Sequence, residues 1–251
     1  MKNFWNKFTD QFGNTILHPQ FIMLSYTREA LVEILKYSKN KKLIDLGCGR
    51  MEYREILQTK LKKYIGVDHP KVSLLYNPQN KPDILADISK EIPVPNKSFD
   101  IAICLEVFEY LENPSKTFSE INRILKQNGI LILTIPFMYP LHDVPYDRYR
   151  FSESELKLLL KNNKFKIKKI KANGNFLGFW FQSLNAFLVK RIFDILKSKK
   201  NILLTIYLIF LLLITPEIVI FTNILFSVSK NINLNFPNYF PLDYLVVATK
   251  Y

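Results

Sequence analysis

Residues 41–50, KKLIDLGCGR, place an aspartate and two glycines directly after a short apolar run. Leu43, Ile44 and Leu46 read as the buried end of a β-strand, and Gly47-Cys48-Gly49 as a turn too tight for side chains. A dinucleotide-binding turn would need a third glycine where Glu52 stands, and a phosphate loop would end in Gly-Lys-Ser or Gly-Lys-Thr, which is missing here. What remains is Asp45 at the end of a strand, an open glycine turn, and a second strand, YIGVDH, that ends in an acid at Asp68. A carboxylate at that place accepts two hydrogen bonds from ribose hydroxyls, while the turn admits a cationic group without a phosphate. The pattern predicts a nucleoside ligand that lacks a pyrophosphate.

Outward from this stretch, strand-like and helical runs alternate. KLIDLG, KYIGVD, DILAD, FDIAICLEV and ILILTIPF read as strands, and REILQTKL and PSKTFSEINRILKQNG as helices between them. A further helix is expected ahead of the first strand, from Ser25, with Ser25 or Thr27 as its cap. Parallel strands need long return connections and are buried on both faces, so the alternation predicts an α/β fold with a mostly parallel sheet. After Pro136 comes an aromatic, charged loop, PFMYPLHDVPYDRYRFS, then a helix opened by Ser152 with Glu155 three residues on. KFKIKKIKAN alternates apolar and basic residues, as an edge strand does, and LDYLVVATK is the last strand. The expected division is an N-terminal extension at 1–24, a ligand-binding core at 25–174, an apolar helical insertion at 175–241 and a final core strand at 242–251.

The 251 residues carry 35 Lys and Arg against 22 Asp and Glu, a formal charge of +13. That excess favours an anionic neighbour, either nucleic acid or an acidic membrane surface, or reflects lysine-rich solvated faces. Cys48 and Cys104, the two cysteines, have neither metal-ligand nor disulfide spacing, so packing roles in a reducing cytosol are expected, with no metal. The N-terminal stretch has no continuous apolar core and does not read as a secretory signal.

Taken in order, these motifs resemble the class I S-adenosylmethionine-dependent methyltransferases, in particular the small bacterial type. The resemblance rests on Asp45, Gly47 and Gly49, on Asp68, on Asp87-Ile88 in ILADISKEIPVPNKSFD, and on CLEVFEYLENP after the fourth strand. It covers residues 25–172 and the terminal YLVVATK. It implies a Rossmann-like sheet whose last strand is antiparallel, with helices on both faces, and S-adenosylmethionine as cofactor. By the same resemblance Gly47 and Gly49 line the methionine part of the cofactor, and Asp45 and Cys48 are cofactor-binding residues of the same motif. Asp68 would hold the ribose, Asp87 and Ile88 would frame the adenine, and Cys104, Leu105 and Glu106 would face the cofactor from the fourth strand. Met51 stands where the family often has a third glycine, and Tyr110 where it often has a histidine.

A sulfonium methyl is already electrophilic, so the protein's main task is to hold the acceptor in line, and a hydroxyl acceptor also needs a base. Open parallel sheets bind ligands beyond the carboxyl ends of their strands, which points to the loop after the fifth strand. His142 is the candidate base, with the neighbouring Asp143 to orient it. Tyr139, Asp147, Arg148 and Arg150 are the candidate acceptor-binding residues; alternatively the arginines only pair with Asp147.

The insertion contains ILLTIYLIFLLLI at 202–214, then Thr215-Pro216-Glu217, then IVIFTNILFSV. Thirteen helical residues reach roughly 20 Å, short of the ~30 Å hydrocarbon core. Both flanking strands belong to one sheet, and Lys197, Lys199, Lys200 and Lys230 flank the apolar run, so both ends are expected on the cytoplasmic side. The expectation is monotopic attachment to an anionic inner membrane face, through an in-plane helix with Trp180 near the headgroups and a re-entrant hairpin broken at Pro216. A soluble lid or a homo-oligomer interface is the alternative. An amphiphilic or lipid-linked acceptor, such as one from a surface-glycan pathway, suits that placement better than free nucleic acid. Nucleic-acid methylation and a non-catalytic membrane module that keeps the fold are the competing functions.

Overall fold

The computed structural model describes residues 11–73, 81–198, 201–230 and 238–251. They form two compact units. The larger holds residues 27–137, 141–173 and 243–251; the smaller holds the described parts of 1–26, 138–140 and 174–242.

The larger unit is built on a seven-stranded sheet. Its elements are β1 (Lys42–Leu46), α2 (Arg54–Gln58), β2 (Lys63–Asp68), α3 (Pro70–Ser73), β3 (Ile84–Leu85), β4 (Phe99–Leu105), α4 (Pro114–Ile124), β5 (Leu125–Pro136), α5 (Glu153–Asn162), β6 (Phe165–Asn173) and β7 (Asp243–Lys250). A preceding helix, α1 (Phe21–Tyr37), contributes its residues from Thr27 onward. The strand order is β3-β2-β1-β4-β5-β7-β6, with β1 to β5 parallel and β7 antiparallel to both its neighbours. The central strands are apolar on both faces because both are covered. Ile44, Ala102, Leu131, Leu133, Val246 and Ala248 pack in one core with Phe118 and Ile121 of α4 and Leu156 and Leu160 of α5. The intervening residues Leu43, Ile101, Ile103, Ile132 and Val247 pack in a second with Ala30 and Ile34 of α1 and Leu57 of α2. A one-residue slip would exchange the two sets, so this alternation holds the register.

Local signals place most boundaries. Asn113 caps α4 by accepting from the Lys116 amide (3.0 Å), with Pro114 in the first turn, and Ser152 caps α5 by accepting from Glu155 (3.3 Å). Two boundaries differ from expectation. α1 starts at Phe21, so neither Ser25 nor Thr27 caps it; the Ser25 hydroxyl donates instead to the Ile22 carbonyl (2.7 Å) inside the helix. α4 ends at Ile124, and KQNG, expected to be helical, lies in β5. β6 is the expected edge strand, where Lys169 reaches Glu33 (2.9 Å) and Lys171 pairs with Glu29.

In the smaller unit, α6 (Phe176–Lys197) and α7 (Ile202–Ser229) form an antiparallel hairpin. Asn175 and Asn201 cap the two helices, accepting from Gly178 (2.8 Å) and Leu204 (2.9 Å). Leu188 and Ile195 of α6 meet Leu208 and Leu211 of α7, and Asn185 donates to Asn223 (3.3 Å) and accepts from Thr222 (3.0 Å). The expected break at Pro216 is not there: α7 runs 28 residues straight through it. Proline in a helix interior costs about 3 kcal/mol, but Leu211 and Val219, buried on either side of Pro216, hold both halves of α7 in place. Lys199 and Lys200 lie outside the described residues.

Candidate active site

The site begins at the carboxyl end of β1. The amides of Gly47 and Cys48 both donate to the Val67 carbonyl (2.8 and 3.1 Å), which folds the turn over the end of β2. Gly47 has φ +74°, and a Cβ there would lie 2.4 Å from a methyl of Val107, so no other residue fits. Gly49, at φ +50°, would point a Cβ into open space. Its amide donates to Asp68 Oδ2 (2.7 Å) while the His69 amide donates to Oδ1 (2.6 Å), so Asp68 is fixed and each oxygen keeps a lone pair. Met51 keeps a glycine-like φ of +53° and packs its sulfur under Arg54 Nη1 (3.1 Å).

Further acids line the same rim. Asp45 is buried and accepts from the Tyr64 hydroxyl; burial, with the Asp68 charge adding to it, pushes its carboxyl up to about 7. Asp68 is itself raised by burial. Asp87 accepts from the Ser89 amide (3.0 Å) and pairs with Lys90 (3.3 Å), next to the buried Ile88. Cys104 turns its side chain into the core, contrary to the expectation that it faces a ligand, because it alternates with Leu105 along β4. Burial pushes both cysteine thiols up, consistent with packing roles. Glu106 follows at φ +54°, its amide donating to Thr134. Asp243, opposite Pro136 and Asn173, completes the rim and accepts from Asn173 Nδ2 (2.7 Å). Burial and the Glu106 charge raise it well above the ordinary range.

The loop after β5 folds against the turn that follows β4. Here the structure corrects the expected pairing of His142 with Asp143. His142 Nδ1 lies 3.1 Å from Asp147 Oδ2, which also accepts the His142 amide (3.0 Å), whereas Asp143 accepts from the Tyr110 hydroxyl (3.3 Å). A five-residue reach closes the ring on Asp147, because adjacent side chains in an irregular loop point apart. Arg150 donates two hydrogen bonds to Asp147 and so shapes the loop. Arg148 is more exposed, pairing with Glu112 (3.6 Å) and donating to the Tyr110 carbonyl (3.3 Å). Tyr139 belongs to the smaller unit, where Gln20 Nε2 donates to its hydroxyl (3.3 Å). The sequence reading missed Glu109, which is fully buried and 3.8 Å from His142 Nε2. Among the described residues no three His, Cys, Asp or Glu side chains converge as metal ligands.

Comparison with known proteins decides what this rim belongs to. Residues 44–133 match the family model described as a methyltransferase domain. The chain carries a class I S-adenosylmethionine-dependent methyltransferase domain. It is 24% identical over 133 residues to a probable S-adenosylmethionine-dependent methyltransferase of Mycolicibacterium smegmatis, covering 50% of this chain and 52% of that one. It is 28% identical over 193 residues to the ubiquinone biosynthesis O-methyltransferase of Rickettsia canadensis, covering 67% and 80%. The chain spans about half the length of several curated relatives it matches. An S-adenosylmethionine-dependent methyltransferase structure from Mesorhizobium loti superposes with a TM-score of 0.54 at 16% identity, covering 88% of this chain and 96% of that one, which shows the fold.

S-adenosylmethionine is the cofactor of this methyltransferase family, and the rim fits it. Its sulfonium and ammonium are cations, and Asp45, Asp68, Glu106 and Asp243 form an acidic lining in a chain whose net charge is +13. The open space at Gly49 leaves room for a ligand beside the fixed Asp68 carboxylate.

Proposed function

We propose that the methyltransferase transfers a methyl group to a hydroxyl of an amphiphilic acceptor that it meets at the inner face of an anionic membrane. The observation that carries the transfer reading is the glycine turn, open at Gly49 and backed by the carboxylate of Asp68. Bound S-adenosylmethionine supplies an electrophilic methyl group. The chain's own part is to hold: Asp68 takes the ribose hydroxyls, Asp45 and the Gly47–Gly49 backbone the methionine end, and Asp87 with Ile88 the adenine. Glu106 and Asp243 shape the rim beyond, and His142, held by Asp147, receives the acceptor's proton. The named O-methyltransferase relative supports a hydroxyl acceptor.

The membrane reading is carried by α7. It is the helix, among the described residues, long and apolar enough to cross a membrane. At 1.5 Å per residue it reaches about 42 Å, beyond the ~30 Å of the hydrocarbon core. Its packed seam faces α6, while Ile202, Leu203, Ile206, Ile209, Phe210 and Leu213 are all more than half exposed. A helix apolar on its outer faces suits lipid, and Lys190, Arg191, Lys197 and Lys230, all exposed at the hairpin, suit anionic headgroups. The chain leaves the sheet at Asn173 and re-enters at its neighbour Asp243, so the hairpin returns to the side it left.

Two measurements test this. Calorimetry on detergent-purified protein should give micromolar binding of S-adenosylhomocysteine that Asp68→Ala loses; no binding by folded protein sinks the transfer reading. Flotation should carry the detergent-free protein with vesicles containing phosphatidylglycerol, and a triple Ile206→Glu, Phe210→Glu, Leu213→Glu variant should stay behind. A wild-type protein that remains with the soluble fraction as a dimer would overturn the membrane reading.

A further inference from the structure

The loop between β5 and α5 keeps a charged side chain out of water and leaves apolar ones in it. The side chain of Asp147 is fully buried, where it accepts the His142 amide (3.0 Å) and two hydrogen bonds from Arg150. Leu141, Val144 and Tyr146, by contrast, are 62%, 66% and 63% exposed. Apolar residues scattered singly over a surface are ordinary, whereas several large ones grouped together mark a contact surface. Hydrogen bonds make the arrangement rigid. The Tyr146 amide donates to the Asp143 carbonyl (2.9 Å), and the Arg148 and Tyr149 amides donate to the Glu109 carbonyl (2.8 and 3.2 Å). Turning the three side chains inward would break these bonds, so their exposure is built into the loop.

The place where the loop leaves the sheet indicates what covers it. Pro136, the last residue of β5, is in register with Asp243, the first of β7, and Asp243 is in register with Asn173, the last of β6. Neighbouring strands lie about 4.8 Å apart, so the loop and both ends of the segment that carries the α6–α7 hairpin leave the sheet within roughly 10 Å of one another. Met138–Pro140 belong to the hairpin's own unit, where the Met138 amide donates to the Pro241 carbonyl (3.2 Å). Leu141 is the next residue, so the exposed loop continues along the chain from the unit that carries the apolar exterior of α7. Side chains this far exposed protrude, which suits entry into a soft interface, and a tyrosine ring with its polar tip suits the headgroup level. The charged neighbours have partners: Asp143 accepts from the Tyr110 hydroxyl (3.3 Å), and Arg148 pairs with Glu112 (3.6 Å).

We propose that Leu141, Val144 and Tyr146 form a second lipid-contact surface, which enters the headgroup layer of the membrane and opens the acceptor side of the site at the lipid–water boundary. The proposal rests on the membrane reading above. It makes the acceptor a lipid-resident amphiphile, whose tail stays in the bilayer while its hydroxyl reaches the loop that carries His142.

Flotation of the detergent-free full-length protein with phosphatidylglycerol vesicles tests this. A triple Leu141→Ser, Val144→Ser, Tyr146→Ser variant should bind the vesicles at least about tenfold more weakly. Its S-adenosylhomocysteine affinity and melting temperature should match the wild type, because the three side chains are exposed. A second variant reads insertion directly. In Val144→Trp on vesicles with brominated acyl chains, the emission added to that of the two native tryptophans should be quenched relative to unbrominated vesicles. Equal vesicle binding by wild type and the serine variant, or added emission that stays unquenched on floating protein, overturns the proposal and leaves the α7 reading standing. Loss of S-adenosylhomocysteine binding in the serine variant would place these residues in the site itself and also overturn it. If the serine variant turns a wild-type dimer into monomers with vesicle binding unchanged, the surface belongs to a second copy of the chain. A wild type that does not float sinks the membrane reading and this proposal together.

Discussion

At the scale of single residues, the two glycines of the opening turn do different work. Gly47 is closed in by Val107, so Gly47→Ala combines a left-handed backbone with a steric clash and should destabilise the protein by about 2–4 kcal/mol. Gly49 is open, so Gly49→Ala should cost only about 1–2 kcal/mol but weaken S-adenosylhomocysteine binding at least about tenfold by occupying the ligand's space. Denaturation midpoints and calorimetry on the pair separate the two roles; equal effects on both would contradict the assignment. Asp45 makes a pH prediction. Its carboxyl, raised to about 7, must lose a proton to favour a cationic ligand, so affinity rises with pH and levels off above 7. The gain from about pH 6 to about pH 8 is about tenfold at most. By the same linkage the ligand-free fold loses stability as pH rises from the ordinary carboxylate range through about 7, because the folded state holds that proton more tightly than the unfolded chain. Asp243 opens β7 and was not singled out, but Asp45, Asp68, Asp87 and Glu106 were legible in the sequence because each lies at or just past the carboxyl end of a strand. Glu109 was not, because only the fold shows that its turn buries it against a histidine thirty-three residues further on.

At the scale of elements, strands were easier to read than helix ends. Apolar runs located the central strands, since burial on both faces leaves a continuous mark in the sequence, while the edge strand β6 was located by its alternation of apolar and basic residues. Helix starts depend on single side-chain hydrogen bonds, and Ser25 could have capped α1 as readily as it donates within it. The hairpin shows the same limit. Pro216 is a breaker by local rules, yet packing against α6 on both sides keeps α7 continuous. Polar side chains in the hairpin hold the N-terminal segment as well: Asn223 Nδ2 donates to the Ile16 and His18 carbonyls (2.8 and 3.0 Å), and Gln182 Nε2 to the Pro19 carbonyl (3.2 Å). Asn223→Ala strips those two carbonyls and Asn185 of their partner and should cost about 1–3 kcal/mol. Limited proteolysis should then cut within residues 11–20 faster than in wild type; an unchanged cutting rate would show that the clip contributes little.

At the scale of the whole molecule, the proposed membrane attachment would draw on two kinds of surface that salt distinguishes. The +13 charge attracts anionic lipid and is screened by salt, while the apolar exterior of α7 is not. Raising salt from 0.1 M to 0.5 M, where the Debye length falls from about 10 Å to under about 5 Å, should weaken vesicle binding without abolishing it. Complete release at high salt would reduce α7 to a bystander. The sequence by itself determined the alternation of strands and helices, the glycine turn with its two strand-end acids, and an apolar segment too long to ignore, because all three are written in local periodicity and residue type. The tertiary structure alone decided that β7 enters between β5 and β6, that His142 turns to Asp147 and Glu109, and that α7 runs through Pro216. Each of those depends on contacts between residues far apart in the chain, and no local propensity encodes the free energy of such a contact.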